Sequence, residues 1–477
     1  MLGMMFIMET FFMLLASFVA LYYKGDDIYP LFLSTGILFV SGCICYMIGF
    51  NANERSAGSR EGMLTVALTW IFFSFFGMFP YYLGGYVDSI TDAYFETMSG
   101  FSTTGASILT DVEALPHGIL FWRSLTQWQG GLGVMVFTVA LVPIFGSGGT
   151  QLFDAEASGT GISTERFRPR ITQVAKRLWG IYLFLTALAA LLLWLGPMDI
   201  FDAVNHALTT LGTGGYSTKN TSIAYWDSAY VEYVITIFMC LGATNISLTY
   251  LFVTGKPMKL LRDEETRWFY SITAGIILVV TAWLYGNGFF TTIEESFRKA
   301  AFQVVSLITT TGYSTADYIL WGPFFWLLAL IMMVVCGCAG STSGGLKMVR
   351  VVILYKNLVN VFKKQTHPLA IIPVRMNGRV VSTEMVQKVL AFAFVYMSII
   401  VFSCLVFTMD GLGFEEAISA SITATSNIGP ALGELGPTCT FIGLSDFSKW
   451  YLSFLMMTGR LEMFTILTIL LPSFWKQ

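Results

Sequence analysis

The chain has 477 residues, of which 55% are hydrophobic and 12% are charged, and its formal net charge is -3. Soluble globular proteins carry about a quarter charged residues, so this composition places the chain in a lipid bilayer. The charge balance excludes a nucleic-acid partner, because phosphate binding needs a concentrated basic surface, which the sequence lacks.

Ten apolar segments are long enough to cross about 30 Å of hydrocarbon. They lie near residues 4–23, 30–50, 61–83, 121–145, 175–196, 228–254, 268–286, 321–338, 386–408 and 450–472. If the N-terminus is inside, Lys and Arg collect in the inner connections, which is the distribution expected of cytoplasmic loops. Asp and Glu collect in the outer connections, where they would concentrate cations. We therefore expect a multi-pass protein with both termini in the cytoplasm.

The outer connections after the third, fifth, seventh and ninth segments share one motif. Aligned on a glycine without gaps, they read DAYFETMSGFSTTGAS (92–107), DAVNHALTTLGTGGYS (202–217), KAAFQVVSLITTTGYS (299–314) and EAISASITATSNIGPA (416–431). Each has a charged residue followed by Ala thirteen positions before the glycine, and a hydroxyl residue six positions before it. This frame indicates four internal repeats.

Each motif predicts a half-helix that enters the membrane and turns back. About twelve helical residues reach some 18 Å, which is roughly half of a bilayer. Non-helical backbone at that depth is tolerated where it lines a water-filled cavity or is buried in protein. Glycine permits backbone angles that aim carbonyl oxygens inward, where they can replace the hydration shell of a cation. The predicted filter residues are Thr103, Thr104, Gly105, Thr213, Gly214, Gly215, Thr310, Thr311, Gly312, Asn427, Ile428 and Gly429.

A polar break follows the third motif and is a candidate gate. The segment 321–361 is too long for one straight span and is interrupted by GCAGSTSGG. The candidate gate residues are Gly337, Gly340, Ser341, Thr342, Ser343, Gly344 and Gly345. The alternative interpretation is a bent helix in which the break serves packing alone.

Arg460 lies near the middle of the last apolar segment, where an arginine costs about 2.5–3.5 kcal/mol on insertion scales. We expect its side chain to face the pore below the filter, where it either blocks idle cation passage or contacts the break. The alternative is pairing with Glu462 or a buried carbonyl for stability alone.

The motifs around TTGA, TGGY, TTGY and NIGP, placed between paired spans, resemble the Trk/Ktr/HKT superfamily of potassium transporters. The two additional N-terminal spans make the bacterial TrkH type the nearest likeness. The resemblance implies K⁺ as the transported ion, no organic cofactor, an inner-membrane location, a homodimer, and a cytoplasmic nucleotide-binding ring partner of the TrkA type. It also implies an intramembrane loop under the filter and an arginine in the role of Arg460. Gly105 favours K⁺, because a serine at this position is associated with Na⁺ permeation in the superfamily.

The expected fold is an all-α integral membrane protein, in contact with lipid, with ten transmembrane helices and four re-entrant pore helices around a central pore. Its expected units are two extra spans (1–55), repeat 1 (56–150), repeat 2 (171–256), repeat 3 with a broken inner helix (265–362) and repeat 4 (383–477).

Other functions remain open at this stage. A K⁺/H⁺ or K⁺/Na⁺ symporter is the main alternative, although carriers with inverted repeats have halves of opposite topology, and these four units share one topology. An enzyme would need convergent catalytic groups, which the spans do not offer. The loop 146–170, with GSGG and several arginines, is either a partner-docking surface or a solvated or lipid-facing basic loop.

Overall fold

The structure is a computed structural model that describes residues 1–50, 59–133, 168–461 and 463–476. In the first half of the chain the helices are α1 Leu2–Tyr23, α2 Ile28–Gly49, α3 Ser59–Gly77, α4 Phe79–Leu83, α5 Ile90–Phe101, α6 His117–Trp128, α7 Arg168–Trp194, α8 Ile200–Gly212, α9 Ala229–Ala243 and α10 Ile246–Val253. In the second half they are α11 Pro257–Arg262, α12 Glu264–Gly286, α13 Ile293–Ile308, α14 Pro323–Val334, α15 Met348–Thr366, α16 Thr383–Met409, α17 Phe414–Ser426, α18 Asp446–Arg460, α19 Met463–Leu470 and α20 Pro472–Trp475. A hairpin of β1 Arg375–Met376 and β2 Arg379–Val380 connects α15 to α16.

The described residues contain six helices that are long and apolar enough to cross a membrane, or up to eight if each of two bent pairs counts as one span. The predicted spans 228–254 and 450–472 each correspond to a bent pair of helices. In the first, α9 and α10 meet at 115°, and in the second, α18 and α19 also meet at 115°. Hydropathy alone cannot reveal such a bend, because a bent and a straight helix have the same composition.

The predicted span 321–338 is also shorter than expected, because α14 ends at Val334 and the following backbone, 335–347, is not helical. Met348 then begins α15. In the fourth predicted span, α6 continues into a π-helical turn, Gln129–Gly133. The remainder of that span, most of the loop 146–170, and Glu462 lie outside the described residues.

Four short helices, α5, α8, α13 and α17, carry the repeated motif. Three of them begin with a side-chain cap, in which Ser89, Asp199 and Thr292 accept a backbone N–H of the first turn. All four have acidic residues in the first turn, which favours the positive end of the helix dipole. These caps and acidic residues favour the observed starts of the short helices.

The four short helices pack in one recurring way. Each contacts the helices before and after it in its own repeat, and also the second helix of the preceding repeat. Thus α8 packs against α7, α9 and α6, and α13 packs against α12, α14 and α9. Likewise, α5 packs against α3, α6 and α18. The last contact joins the fourth repeat to the first, so the four units close into a ring.

Candidate functional site

Each short helix ends in a left-handed turn two residues before the motif glycine. The φ angles are 57° at Thr103, 53° at Thr213, 59° at Thr310 and 57° at Asn427. This region is unusual for a β-branched residue and costs of order 1–3 kcal/mol, so it persists only where the surrounding structure holds it. Asn adopts it more readily than Thr, so the departure of the fourth motif from the threonine pattern preserves the same backbone.

The hydroxyl residue six positions before the glycine has a backbone role in all four repeats. Its carbonyl oxygen accepts the N–H of the residue just before the glycine, which closes the helix C-terminus in the manner of a Schellman turn. The four bonds are Thr104 N to Ser99 O (2.9 Å), Gly214 N to Thr209 O (2.9 Å), Thr311 N to Ser306 O (2.9 Å) and Ile428 N to Thr423 O (3.1 Å). The six-residue spacing between the hydroxyl residue and the glycine is therefore the spacing of one helix C-cap.

The four motif glycines also have left-handed φ angles and form a closed ring. The φ angles are 83° at Gly105, 77° at Gly215, 83° at Gly312 and 108° at Gly429. A Cβ on each glycine would collide with a carbonyl oxygen of the next repeat. The oxygens are those of Gly214, Thr311, Ile428 and Thr104, respectively. The contacts run in chain order from repeat 1 to repeat 4 and back to repeat 1.

The structure therefore brings all twelve predicted filter residues together in four adjoining turns. Glycine is required there for two reasons, since the backbone is left-handed and the carbonyl of the neighbouring repeat occupies the space of a Cβ. The four helix C-termini, which carry partial negative charge, end at the same ring. Such a ring of carbonyls and helix ends is suited to a desolvated cation.

Gln127 supports this ring, and no sequence pattern pointed to it. Its amide donates to the carbonyl oxygen of Gly214 (2.8 Å), and its side-chain oxygen accepts the N–H of Tyr216 (3.0 Å). Both groups belong to repeat 2, whereas Gln127 lies on α6 of repeat 1. It is fully buried. A glutamine within a helix carries no local sequence signal of a contact with another repeat.

The non-helical segment 335–347 contains all seven candidate gate residues and lies directly against the ring. Gly344 N donates to the Thr310 hydroxyl (2.9 Å), and the Thr213 hydroxyl donates to that of Thr342 (3.2 Å). Gly337, Gly340, Ser341, Ser343 and Gly345 lie in the same segment. The segment 335–347 is therefore in contact with predicted filter residues of two repeats.

The segment 335–347 is also fixed to the bend between α9 and α10. Cys338 N donates to Ala243 O (2.9 Å), and Ile246 N donates to Gly340 O (3.1 Å). The Asn245 amide donates to Ala339 O (2.8 Å). The bend of one repeat thus satisfies the free backbone groups of another, as buried non-helical backbone requires.

Arg460 is the last residue of α18, at the bend before α19. Its guanidinium donates to Thr342 O at 2.7 Å. It also donates to the carbonyl oxygens of Gly130 and Gly131 in the π-helical turn. Arg460 therefore joins the segment 335–347 to the end of α6.

Glu265 was missed by sequence reasoning, because it reads as an ordinary acidic residue at a helix start. One of its carboxylate oxygens accepts both Ala339 N (2.7 Å) and Val349 N (3.0 Å). Ala339 lies between Gly337 and Gly340, Val349 lies in the first turn of α15, and Glu265 is 8% exposed. It therefore fixes the segment 335–347 and the start of α15 to the first turn of α12.

Two ion pairs with opposite polarity join neighbouring repeats at equivalent positions. Asp92 of α5 pairs with Lys449 of α18 (2.6 Å), and Lys299 of α13 pairs with Glu232 of α9 (2.8 Å). Asp92 and Lys299 each lie thirteen residues before the motif glycine, and Lys449 and Glu232 are each the fourth residue of their helix. In repeats 1 and 3 the charged position of the motif thus contacts the preceding repeat.

The connection that follows the first motif carries exposed acidic residues. The Asn220 amide donates to Asp111 (2.9 Å), and Asn220 N donates to Glu113 (3.1 Å). The hydrogen bond from Asn220 holds the pKa of the Asp111 carboxyl below its usual value. Asp111 is therefore ionised at neutral pH.

Comparisons with known proteins agree with this architecture. The family model described as TrkH, cation transport protein, matches residues 35–476. The Trk system potassium uptake protein TrkH of Escherichia coli (strain K12) is 35% identical over 480 residues, which cover 100% of this chain and 98% of the relative. The TrkH protein of Vibrio parahaemolyticus serotype O3:K6 is 34% identical, with coverage of 99% and 98%.

A crystal structure titled the potassium transporter TrkH from Vibrio parahaemolyticus superimposes with a TM-score of 0.90 and 32% identity. It covers 99% of this chain, and the match spans 98% of that chain. The match of the family model and the full-length relatives lead to one conclusion: the chain belongs to the TrkH family of cation transport proteins.

Proposed function

We propose that this protein takes up K⁺ across the cell membrane through a pore whose narrowest part is the ring of four motif turns. The observation that carries the proposal is the closed order of contacts, in which each motif glycine lies against a carbonyl oxygen of the next repeat. Carbonyl oxygens can replace the hydration shell of K⁺, and the four helix C-termini add negative potential. The names of the similar proteins supply the choice of K⁺.

In this proposal the four short helices are re-entrant pore helices within ten transmembrane spans, and both termini are cytoplasmic. The segment 337–345 and Arg460 form the gate. The segment contacts the ring through Gly344 and Thr310, and it accepts a hydrogen bond from Arg460 at Thr342. A homodimer and a cytoplasmic nucleotide-binding ring partner complete the proposal, and they rest on the family resemblance.

The test is ion flux into proteoliposomes of the purified chain, with K⁺, Rb⁺, Na⁺ and Li⁺ compared for wild type and Gly312→Ser. K⁺ and Rb⁺ should pass preferentially, and the substitution should let Na⁺ compete, because a serine Cβ would displace Ile428 O. Gly288→Ser is the matched control. Gly288 also has a left-handed φ angle (71°), but its Cβ direction is open.

Absence of selective cation flux in wild type, with a cytoplasmic partner added, would contradict the pore. Flux of K⁺ that depends on an H⁺ or Na⁺ gradient would instead favour a symporter. Equal effects of the two serine substitutions would assign the change to backbone strain and not to the ring.

A further inference from the structure

Two tyrosines follow motif glycines directly, and each reaches back to the preceding repeat. Tyr216 follows Gly215, and its hydroxyl donates to Glu96 O of α5 (2.8 Å) and lies 3.3 Å from Ala106 O. Tyr313 follows Gly312, and its hydroxyl is hydrogen-bonded to the Thr209 hydroxyl of α8 and lies 3.3 Å from His206 O. Both side chains are buried, at 2% and 1% exposure.

The other two repeats are joined differently. Ala106 and Pro430 occupy the position after the glycine in repeats 1 and 4, and neither has a hydroxyl. Repeats 3 and 4 are instead connected by the Tyr318 hydroxyl, which donates to Ala431 O (3.0 Å). Repeats 4 and 1 are connected by Asn427, whose amide donates to the Thr104 hydroxyl (3.0 Å). The tyrosines therefore act at two particular junctions of the ring.

We propose that the Tyr216 and Tyr313 hydroxyls are positioning groups for ion selectivity, which set the distance between adjacent turns of the ring. This inference rests on the proposed pore. Neither hydroxyl needs to touch the ion, because each acts through the backbone of its own motif. A ring built from four separate turns keeps its diameter only if each turn is fixed to its neighbour, and selectivity between K⁺ and Na⁺ depends on the arrangement of the carbonyls.

Phenylalanine at these positions removes the hydroxyl and little else. Glu96 O belongs to helix α5, and the Thr209 hydroxyl also contacts Asn205 O (3.1 Å), so both of these partners keep a hydrogen bond. The Thr210 hydroxyl loses only a long contact to the Tyr313 hydroxyl (3.5 Å). The Arg123 guanidinium, whose carbon lies 3.5 Å from the centre of the Tyr216 ring, can still stack on a phenyl ring. Both variants are therefore expected to fold.

The experiment measures K⁺ and Na⁺ flux, together with thermal unfolding, for full-length wild type, Tyr216→Phe and Tyr313→Phe in proteoliposomes. We expect the K⁺/Na⁺ flux ratio to fall roughly threefold to tenfold, as for the loss of one buried hydrogen bond, with K⁺ flux retained. The matched control is Tyr451→Phe, because the Tyr451 hydroxyl contacts the Ser403 hydroxyl (3.0 Å) between α18 and α16, away from the ring. Its flux ratio should equal that of wild type.

A double variant separates positioning from general loosening. If the Thr209 hydroxyl is the partner of Tyr313, then Thr209→Val with Tyr313→Phe should change the ratio no more than Tyr313→Phe alone. An unchanged ratio in both tyrosine variants, beside a selective wild type, would overturn the inference and leave the pore standing. A ratio that falls equally in Tyr451→Phe would also overturn it. A non-selective wild type would refute the proposed function itself.

Discussion

The guanidinium of Arg460 donates to the carbonyl oxygen of Thr342 at 2.7 Å and to the carbonyls of Gly130 and Gly131. One cation therefore satisfies backbone oxygens from two segments that are far apart in sequence. An arginine at membrane depth is costly unless such acceptors surround it. The same contacts hold the segment 335–347 against the ring. Loss of the arginine should therefore change the stability of the proposed gate.

Arg460→Ala should raise K⁺ flux of the protein without any partner. A charged hydrogen bond contributes about 1.5–3 kcal/mol, so its loss should shift the segment 335–347 toward an open arrangement by roughly tenfold or more. Arg460→Lys should be intermediate, because an ammonium cannot reproduce the planar fork of donors. The measurement is initial ⁸⁶Rb⁺ uptake into proteoliposomes. Arg379→Ala, on the exposed β hairpin, is the control for loss of one positive charge. A flux below that of wild type would contradict this role.

Glu265→Ala should loosen the same segment from its other side. The substitution leaves Ala339 N and Val349 N without their acceptor, and each unsatisfied buried donor costs about 1–3 kcal/mol. We expect a lower unfolding temperature and higher basal K⁺ flux. Glu265→Gln is the matched variant, because both donors bind one oxygen and a glutamine keeps an oxygen there. If the alanine and glutamine variants behave alike, the charge and not the two hydrogen bonds holds the segment.

The repeats show what the sequence can reveal about this site. The spacing of hydroxyl, Thr or Asn, and glycine predicted four equivalent turns, because each turn is a local helix cap whose bonds join residues close in the chain. The contacts of Glu265 and Gln127 could not be predicted in this way, because each joins residues separated by tens of positions. The same holds for the order in which the four turns contact one another. The bend at Leu461 could not be predicted from hydropathy either, because apolar residues continue on both sides of it.

Asn427→Thr tests whether the fourth motif differs from the others for a reason beyond its backbone. Its amide donates to the Thr104 hydroxyl (3.0 Å) and to Met456 O (2.8 Å), so it connects the fourth turn to the first turn and to α18. Threonine matches the other repeats but cannot make these contacts. We expect a lower K⁺/Na⁺ flux ratio and a lower unfolding temperature, because threonine adopts the left-handed backbone of this position less readily than asparagine.

Asn427→Asp should be worse than Asn427→Thr, because it replaces both donors with a buried negative charge. Flux ratios and thermal unfolding of the two variants, measured side by side, check the order. A threonine variant indistinguishable from wild type would show that the four turns are held without this amide.

The two ion pairs between repeats predict a charge exchange. Lys449→Glu sets a second negative charge against Asp92, and the loss of one partner of a buried pair costs about 3–5 kcal/mol. Adding Asp92→Lys should restore most of the stability, since the double variant reproduces the polarity already present at Lys299 and Glu232. The measurement is the unfolding temperature in detergent, with Lys388→Glu, in an exposed pair with Glu384, expected to change it little. A double variant no more stable than Lys449→Glu would mean that the two junctions are not equivalent, and that the polarity at each is fixed by surroundings beyond the pair.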